Sequence, residues 1–287
     1  MIIAKSLSEF NEALGSLANK TDIGFVPTMG ALHEGHLSLV RHSVEKCTHT
    51  VVSIFVNPTQ FNNKQDLASY PRTLEADCKL LEGAGASIVF APDVTDIYPQ
   101  EDNRVFDLGG LDSFGEGPRR PGHFNGVAQV VTRLFDIVKP KYAFFGEKDY
   151  QQIAIIKYFV RKLGYNITII PCPIIRENDG LAKSSRNTLL TWEQREAAPD
   201  IYKALKWGVE RLHNTSSGEK ITPQELIKEV TAKINSNKEL ETEYVEIVDG
   251  ETLRQVNSWD ESRCPRMWCA VYARPVRLID NIDLTLR

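Results

Sequence analysis

Short apolar runs alternate with segments of helical periodicity through the first 170 residues, and this alternation restricts the fold more than any other feature of the chain. A strand at 22–27 precedes a helix near 36–46, the run TVVSIFV at 50–56 precedes a helix near 73–83, and ASIVF follows at 86–90. After an irregular stretch the pattern resumes with a helix near 125–138, a strand at 141–145, a helix near 149–163 and a strand at 166–170. A first helix at 7–18 starts from the capping-box sequence Ser6-Leu7-Ser8-Glu9 and repeats Leu7, Phe10, Leu14 and Leu17 on one face. Strand–helix–strand repeats need crossover connections, which build a parallel sheet with helices on both faces. The expected class is α/β, with a Rossmann-like doubly wound parallel sheet.

The pattern changes after about residue 176. Residues 192–236 read as two or three helices, with Trp192, Ala198, Ile201, Leu205 and Val209 near helical spacing and a polar break at Asn214-Thr215-Ser216-Ser217-Gly218. Three β-rich pieces follow at 243–248, 267–274 and 276–281. Two domains are expected, 1–176 for the Rossmann-like layer and 177–287 for a smaller α+β domain or cap.

With 287 residues and a formal charge of -4, the chain offers no broad basic face, so nucleic acid is not an expected partner and a polyanion must sit in a local pocket. No apolar run approaches the roughly 20 residues that span a bilayer. The start MIIAKSLSEF has no signal-peptide pattern, so a cytoplasmic protein with no membrane partner is expected. Cys47, Cys78, Cys172, Cys264 and Cys269 form no Cys-x-x-Cys pair, which favours reduced thiols over disulfides or a structural zinc site.

Ligands of a doubly wound sheet bind beyond the C-terminal strand ends, where strand order reverses. Three polar groups fall at such ends. The first strand runs into Pro27-Thr28-Met29-Gly30-Ala31-Leu32-His33-Glu34-Gly35-His36, with two imidazoles three apart at a helix start and hence on one helical face. Unpaired helix N-terminal amides and their partial positive charge suit a nucleotide phosphate there. The next strand runs into Asn57-Pro58-Thr59-Gln60-Phe61, and the strand at 141–145 into Gly146-Glu147-Lys148-Asp149-Tyr150-Gln151-Gln152. Gln60 and Gln152 offer uncharged donors and acceptors suited to a hydroxylated acid. Lys148 supplies a mobile charge for phosphate, and Asp149 either binds a ribose hydroxyl or caps the following helix. One of Gln151 and Gln152 faces inward.

A second basic group, Gly180-Leu181-Ala182-Lys183-Ser184-Ser185-Arg186-Asn187, places two hydroxyls between cations and suits β- and γ-phosphate oxygens or, alternatively, a plain polar turn. The loop Gly115-Glu116-Gly117-Pro118-Arg119-Arg120-Pro121-Gly122-His123-Phe124 either shapes an acid pocket, makes a subunit contact or simply connects. His33 and His36 do not fit His-Glu-x-x-His zinc spacing, and neither a Gly-x-Gly-x-x-Gly after the first strand nor a P-loop sequence occurs.

The ordered segments PTMGALHEGH, FVNPTQF, RRPGHFNGV, FGEKDYQQ and GLAKSSRN resemble the pantothenate synthetase (pantoate–β-alanine ligase) family over about residues 1–190. That family shares a nucleotidyltransferase superfamily with class I aminoacyl-tRNA synthetases, whose His-x-Gly-His and Lys-Met-Ser-Lys-Ser signatures serve ATP. The resemblance implies attack of pantoate on the α-phosphate of ATP, giving pantoyl adenylate, then displacement of AMP by β-alanine to give pantothenate. It implies ATP as substrate with Mg2+ carried alongside, and a homodimer.

By motif position it places Met29, Gly30, Ala31, Leu32, His33, Glu34, Gly35 and His36 at the nucleotide. Gly146, Glu147, Lys148, Asp149, Ile175, Lys183, Ser184, Ser185 and Arg186 join them there. Gln60 and Gln152 would hold pantoate, Gln60 would also meet β-alanine, and Asn57 would lie close to substrate. His36, His33 and Lys148 are the implied catalytic residues, with His36 the family's usual proton donor. No protein metal ligand is implied.

Many members carry Met where this chain has Lys183. Two other readings stand beside the ligase: an adenylyltransferase acting on a phosphorylated precursor, which would want further cations, and a nucleotide sensor or RNA-binding relic, which the acidic balance disfavours.

Overall fold

The computed structural model describes all residues except 19–21, 62–66, 69, 215–220 and 286–287. The chain divides into two compact units, Met1–Pro173 and Ile174–Arg287, a few residues ahead of the break expected after 176.

The first unit is a six-stranded sheet. Its strands are β1 Ile2–Ala4, β2 Ile23–Thr28, β3 His49–Ile54, β4 Ile88–Phe90, β5 Tyr142–Gly146 and β6 Thr168–Cys172. The order is β1-β4-β3-β2-β5-β6, and every pairing is parallel. The main helices are α1 Leu7–Ser16, α2 Glu34–Lys46, α3 Leu74–Gly83, α6 His123–Val138 and α7 Tyr150–Lys162. Two short helices, α4 Val94–Ile97 and α5 Glu116–Arg119, punctuate the irregular stretch.

From β2 the chain winds outward through β3 and β4, then returns to place β5 on the other flank of β2, so strand order reverses between β2 and β5. The carboxyl ends of these two strands therefore define the crevice where such sheets take ligands. Val26, Val51, Val52, Ile88, Val89 and Phe90 are fully buried, as expected for strands covered on both faces. The irregular residues after β4 are strapped to α6 by side chains: Gln129 Nε2 donates to the carbonyls of Asp102 (2.7 Å) and Arg104 (3.0 Å), and Asn125 Oδ1 accepts from the Phe106 amide at 2.8 Å.

The second unit packs helices α8 Trp192–Ala197, α9 Pro199–His213 and α10 Pro223–Asn235 with an antiparallel sheet of β7 Glu241–Asp249, β8 Pro265–Ala273 and β9 Val276–Asp283. Its core joins Leu205, Leu226, Val230 and Ile234 from the helices to Ile247, Met267 and Val271 from the sheet. Thr191 and Thr222 form the capping boxes of α8 and α10 with Gln194 and Glu225. Of the expected polar break at 214–218, all but Asn214 lies outside the described residues. Among the described residues no helix is long and apolar enough to cross a membrane. The five cysteines are free, four of them buried.

Candidate active site

The turn between β2 and α2 corrects one detail of the sequence reading. His33 and His36 do not lie on one face of a helix, because His33 precedes α2 as its N-cap. They meet through reciprocal capping: His33 Nδ1 accepts from the Gly35 amide at 3.1 Å, and His36 Nδ1 accepts from the His33 amide at 3.3 Å. The ring centroids are 4.1 Å apart. Imidazoles here occupy the places that Ser or Thr and Glu or Gln fill in the usual box.

The amides at this helix start are also not orphaned. Gly30 N donates to Thr28 Oγ1 (3.2 Å), Ala31 N and Leu32 N donate to the two Asp77 carboxylate oxygens (3.0 and 2.8 Å), and His36 N donates to the His33 carbonyl (2.8 Å). Any anion gripped here must rely more on side-chain donors than the sequence suggests. Two residues in the left-handed region, Gly30 (φ 81°) and Ala31 (φ 50°), turn these amides toward Asp77. A Cβ on Gly30 would stand 3.1 Å from the Asp77 carboxylate, so glycine is favoured on both counts.

Asp77 is one residue that motif reasoning missed. It is only 2% exposed on α3 and also accepts from Thr73 Oγ1 at 3.1 Å. The signal was present: Leu74, Asp77, Cys78 and Leu81 follow an apolar helical stripe, and an acidic group in such a stripe needs internal donors.

His36 keeps some surface open to solvent, yet its ring is desolvated. Burial first, then the neighbouring His33 and the Lys148 charge, push its pKa down to about 3. Lys148 lies in the single 3-10 turn Glu147–Asp149 after β5, so its effect on His36 places both strand ends at one crevice. Glu34 points away on the exposed side of α2 and pairs with Arg41. Asp149 is exposed at the cap position of α7 but makes no side-chain capping bond.

The glutamine pair resolves clearly. Gln151 is the inward one: Oε1 accepts from Glu116 N (2.9 Å), while Nε2 donates to the carbonyls of Leu111 (2.9 Å) and Phe114 (2.8 Å). It staples the loop ahead of α6. Gln152 remains half-exposed.

Gln60 is held from several directions. Its Oε1 accepts from Asn57 Nδ2 (3.1 Å), its Nε2 donates to Met29 Sδ (3.1 Å), and its main-chain carbonyl accepts from His123 Nδ1 (2.9 Å). Asn57 is 1% exposed; its Nδ2 also reaches the Gly126 carbonyl (3.1 Å) and its Oδ1 accepts from Tyr98 OH (2.9 Å). Asn57 thus ties Gln60 to α6 and to Tyr98. Gly126 permits the close approach of α6, since a Cβ there would stand 2.4 Å from the Thr59 carbonyl oxygen. Tyr98, His123 and Gly126 were not singled out as site residues, because their link to Gln60 is tertiary.

In the second unit, Ile175 and Lys183 are joined by a bond from Lys183 N to the Ile175 carbonyl (2.9 Å), next to the bridge between Arg176 and Ala182. Arg176 braces this hairpin by a bidentate pair with Asp280 (2.6 and 2.9 Å) and stacks 3.6 Å from the Tyr202 ring centroid. Lys183 Nζ donates to Glu177 Oε2 at 2.6 Å. Ser184 caps the turn Ser185–Leu189 by accepting from Arg186 N, and Arg186 is exposed.

The model of the pantoate-beta-alanine ligase family matches residues 2–283. The chain belongs to the pantoate–β-alanine ligase family. It is 51% identical over 265 residues to a pantothenate synthetase of Porphyromonas gingivalis, covering 92% of each chain, and 49% identical over 283 residues to one of Bacteroides thetaiotaomicron, covering 98% of each. A pantothenate synthetase structure from Thermus thermophilus superposes with a TM-score of 0.90 at 39% identity over the whole of both chains. A pantoate-beta-alanine ligase from Francisella tularensis, complexed with beta-gamma ATP and beta-alanine, gives 0.81 at 38% identity, covering 99% of this chain and 98% of that one. This family agreement extends through the second unit, where the sequence motifs are sparser.

Proposed function

We propose that this member of the family condenses (R)-pantoate with β-alanine in two steps driven by ATP. The observation that carries the reading is the meeting of the His33–His36 cap, Lys148 and an oriented Gln60 at the carboxyl ends of β2, β5 and β3. In the first step the pantoate carboxylate attacks the α-phosphate of ATP, forming pantoyl adenylate and releasing pyrophosphate. That nucleophile is already ionised near neutral pH, so no base is required. In the second step the neutral amine of β-alanine attacks the adenylate carbonyl and AMP leaves. Catalysis then rests on positioning and on stabilising phosphate charge.

In this reading the segment Met29–His36 and the turn Gly146–Asp149 line the nucleotide, with His33, His36 and Lys148 directed to its phosphates. Ile175 and the loop Lys183–Arg186 of the second unit also bind ATP in this reading. Gln60 and Gln152 bind pantoate, and Gln60 also meets β-alanine. Among the described residues no three His, Cys, Asp or Glu side chains are grouped as a metal cage. Mg2+ would arrive with the ATP triphosphate and would offset charge on the departing pyrophosphate. We further propose a homodimer acting in the cytoplasm, where the free thiols would stay reduced.

The test is pyrophosphate release from ATP with pantoate alone, followed by AMP release when β-alanine is added. Pyrophosphate formed with other hydroxy acids but not with pantoate would reject the substrate assignment.

A further inference from the structure

Gln60 takes its side-chain direction from a chain of bonds that begins on main-chain atoms. The Gly126 carbonyl can only accept, and it lies 3.1 Å from Asn57 Nδ2; the Thr59 amide can only donate, and it lies 3.4 Å from Asn57 Oδ1. These two groups decide which way the Asn57 carboxamide is turned. Its second Nδ2 hydrogen then faces Gln60, which must answer with Oε1 at 3.1 Å. Gln60 Nε2 is thereby turned to the other side, beside the weakly accepting Met29 Sδ at 3.1 Å.

The far end of the chain is Asn57 Oδ1, which accepts from the Thr59 amide at 3.4 Å, the Thr59 hydroxyl at 3.1 Å and the Tyr98 hydroxyl at 2.9 Å. The Tyr98 bond is the shortest of the three and comes from a separate element. Asn57 is buried, so a hydrogen bond lost at Oδ1 is not readily replaced by water.

We infer that Tyr98 is a positioning residue for the acid substrate: its hydroxyl holds the Asn57 carboxamide against Gln60 and so keeps Gln60 turned with Nε2 available as a donor to pantoate. The inference rests on the reading above that Gln60 binds pantoate, and adds to it a residue that acts only through Asn57.

The fold fixes both ends of this bond. Tyr98 is the C-cap of α4, and its amide donates to the Val94 carbonyl at 2.8 Å. The start of α4 is closed by the reciprocal cap of Asp93 and Asp96, and Asp96 Oδ1 also accepts from the Leu7 amide at 3.1 Å, which ties α4 to the first turn of α1. The Tyr98 ring packs 6.2 Å from that of Phe55, a buried residue two places ahead of Asn57. Burial pushes the Tyr98 hydroxyl above its ordinary pKa, so it stays protonated and remains a donor at neutral pH. His123 holds the main-chain carbonyl of Gln60 by a different bond, so the two supports can be tested apart.

Tyr98→Phe keeps the ring against Phe55 and removes one oxygen, leaving Asn57 Oδ1 to the longer Thr59 bonds. KM for pantoate, measured at saturating ATP, is expected to rise about tenfold, while kcat and KM for ATP stay within about twofold. Because Tyr98 acts through Asn57, adding Tyr98→Phe to Asn57→Ala should lower kcat/KM for pantoate by less than about twofold beyond Asn57→Ala alone. An unchanged KM for pantoate in Tyr98→Phe, an equal rise in both KM values, or a tenfold loss that recurs in full in the Asn57→Ala background would each overturn the inference.

A second readout needs no substitution. In proton spectra of the unsubstituted protein the Tyr98 hydroxyl should give a resolved signal with a nuclear Overhauser contact to the Asn57 side-chain amide. A hydroxyl proton averaged with water would contradict the bond on which the inference stands. Failure of the adenylation reading looks different: the unsubstituted enzyme would release no pyrophosphate with pantoate, whatever the state of Tyr98.

Discussion

The amino ends of α2 and α6 both carry buried-ring histidines, and the protein fixes them in opposite states. At α2, His36 accepts at Nδ1 and its proton is left on Nε2. At α6, His123 faces the Gln60 carbonyl with Nδ1, which must therefore donate, while Arg120 Nη1 stands 3.0 Å from its Nε2. The α2 end is closed by its own side chains, whereas Gly122 before α6 is left-handed and gives no side-chain cap. A histidine at a helix start is thus not a role in itself. The partner of Nδ1 decides which ring nitrogen carries the proton.

Substitutions that break this contrast should separate by region. Asp77→Ala should have the largest effect, since the buried Asp77 carboxylate is the shared acceptor of the partly buried Ala31 and Leu32 amides and of the Thr73 hydroxyl. A loss of about 3–5 kcal/mol in urea unfolding is expected; a loss below about 1 kcal/mol would show that the turn does not depend on it. On the α6 side, Gly126→Ala forces a methyl against the Thr59 main chain and should cost about 1–3 kcal/mol. The same variant should raise KM for pantoate, measured at saturating ATP, because Gln60 moves with that turn.

His123→Phe sharpens the comparison. It removes the donor to the Gln60 carbonyl but retains a ring, so KM for pantoate should rise about tenfold, equivalent to about 1.4 kcal/mol, with KM for ATP nearly constant. An equal change in both would argue against a local role.

Acid titration probes both ends at once. Burial holds His36 and His123 neutral, with pKa values pushed down from the ordinary 6.5 to about 3 and about 4. Below 6.5 the unfolded chain binds protons that the folded one does not, so stability must fall as pH drops from there toward about 4. His36→Gln and His123→Phe should each flatten that slope in thermal unfolding series. The smallest effect is expected from Lys183→Met, which removes the partly exposed pair with Glu177 and should change stability by under about 1 kcal/mol.

Much of the first unit was legible because its strands and long helices carry strong periodicity. Strand β1 was not read, since three residues at a sheet edge give no pattern to count. Helix α2 starts at Glu34 rather than near 36 because a histidine, not Ser, Thr, Asp or Asn, provides its cap. The strand-end motifs marked the crevice correctly as a place in the topology. What stayed hidden was how its polar atoms are shared: the Asp77 clamp, the Asn57–Tyr98 support of Gln60 and the Glu177 partner of Lys183 all depend on contacts that spacing alone does not specify.

The most direct test of the adenylation account is exchange of labelled pyrophosphate into ATP, measured with pantoate present and β-alanine absent. Reversible adenylate formation predicts exchange that requires pantoate and proceeds without the amine. No exchange with pantoate, in enzyme that still makes pantothenate once β-alanine is supplied, would contradict a separate adenylation step at the His33–His36 crevice.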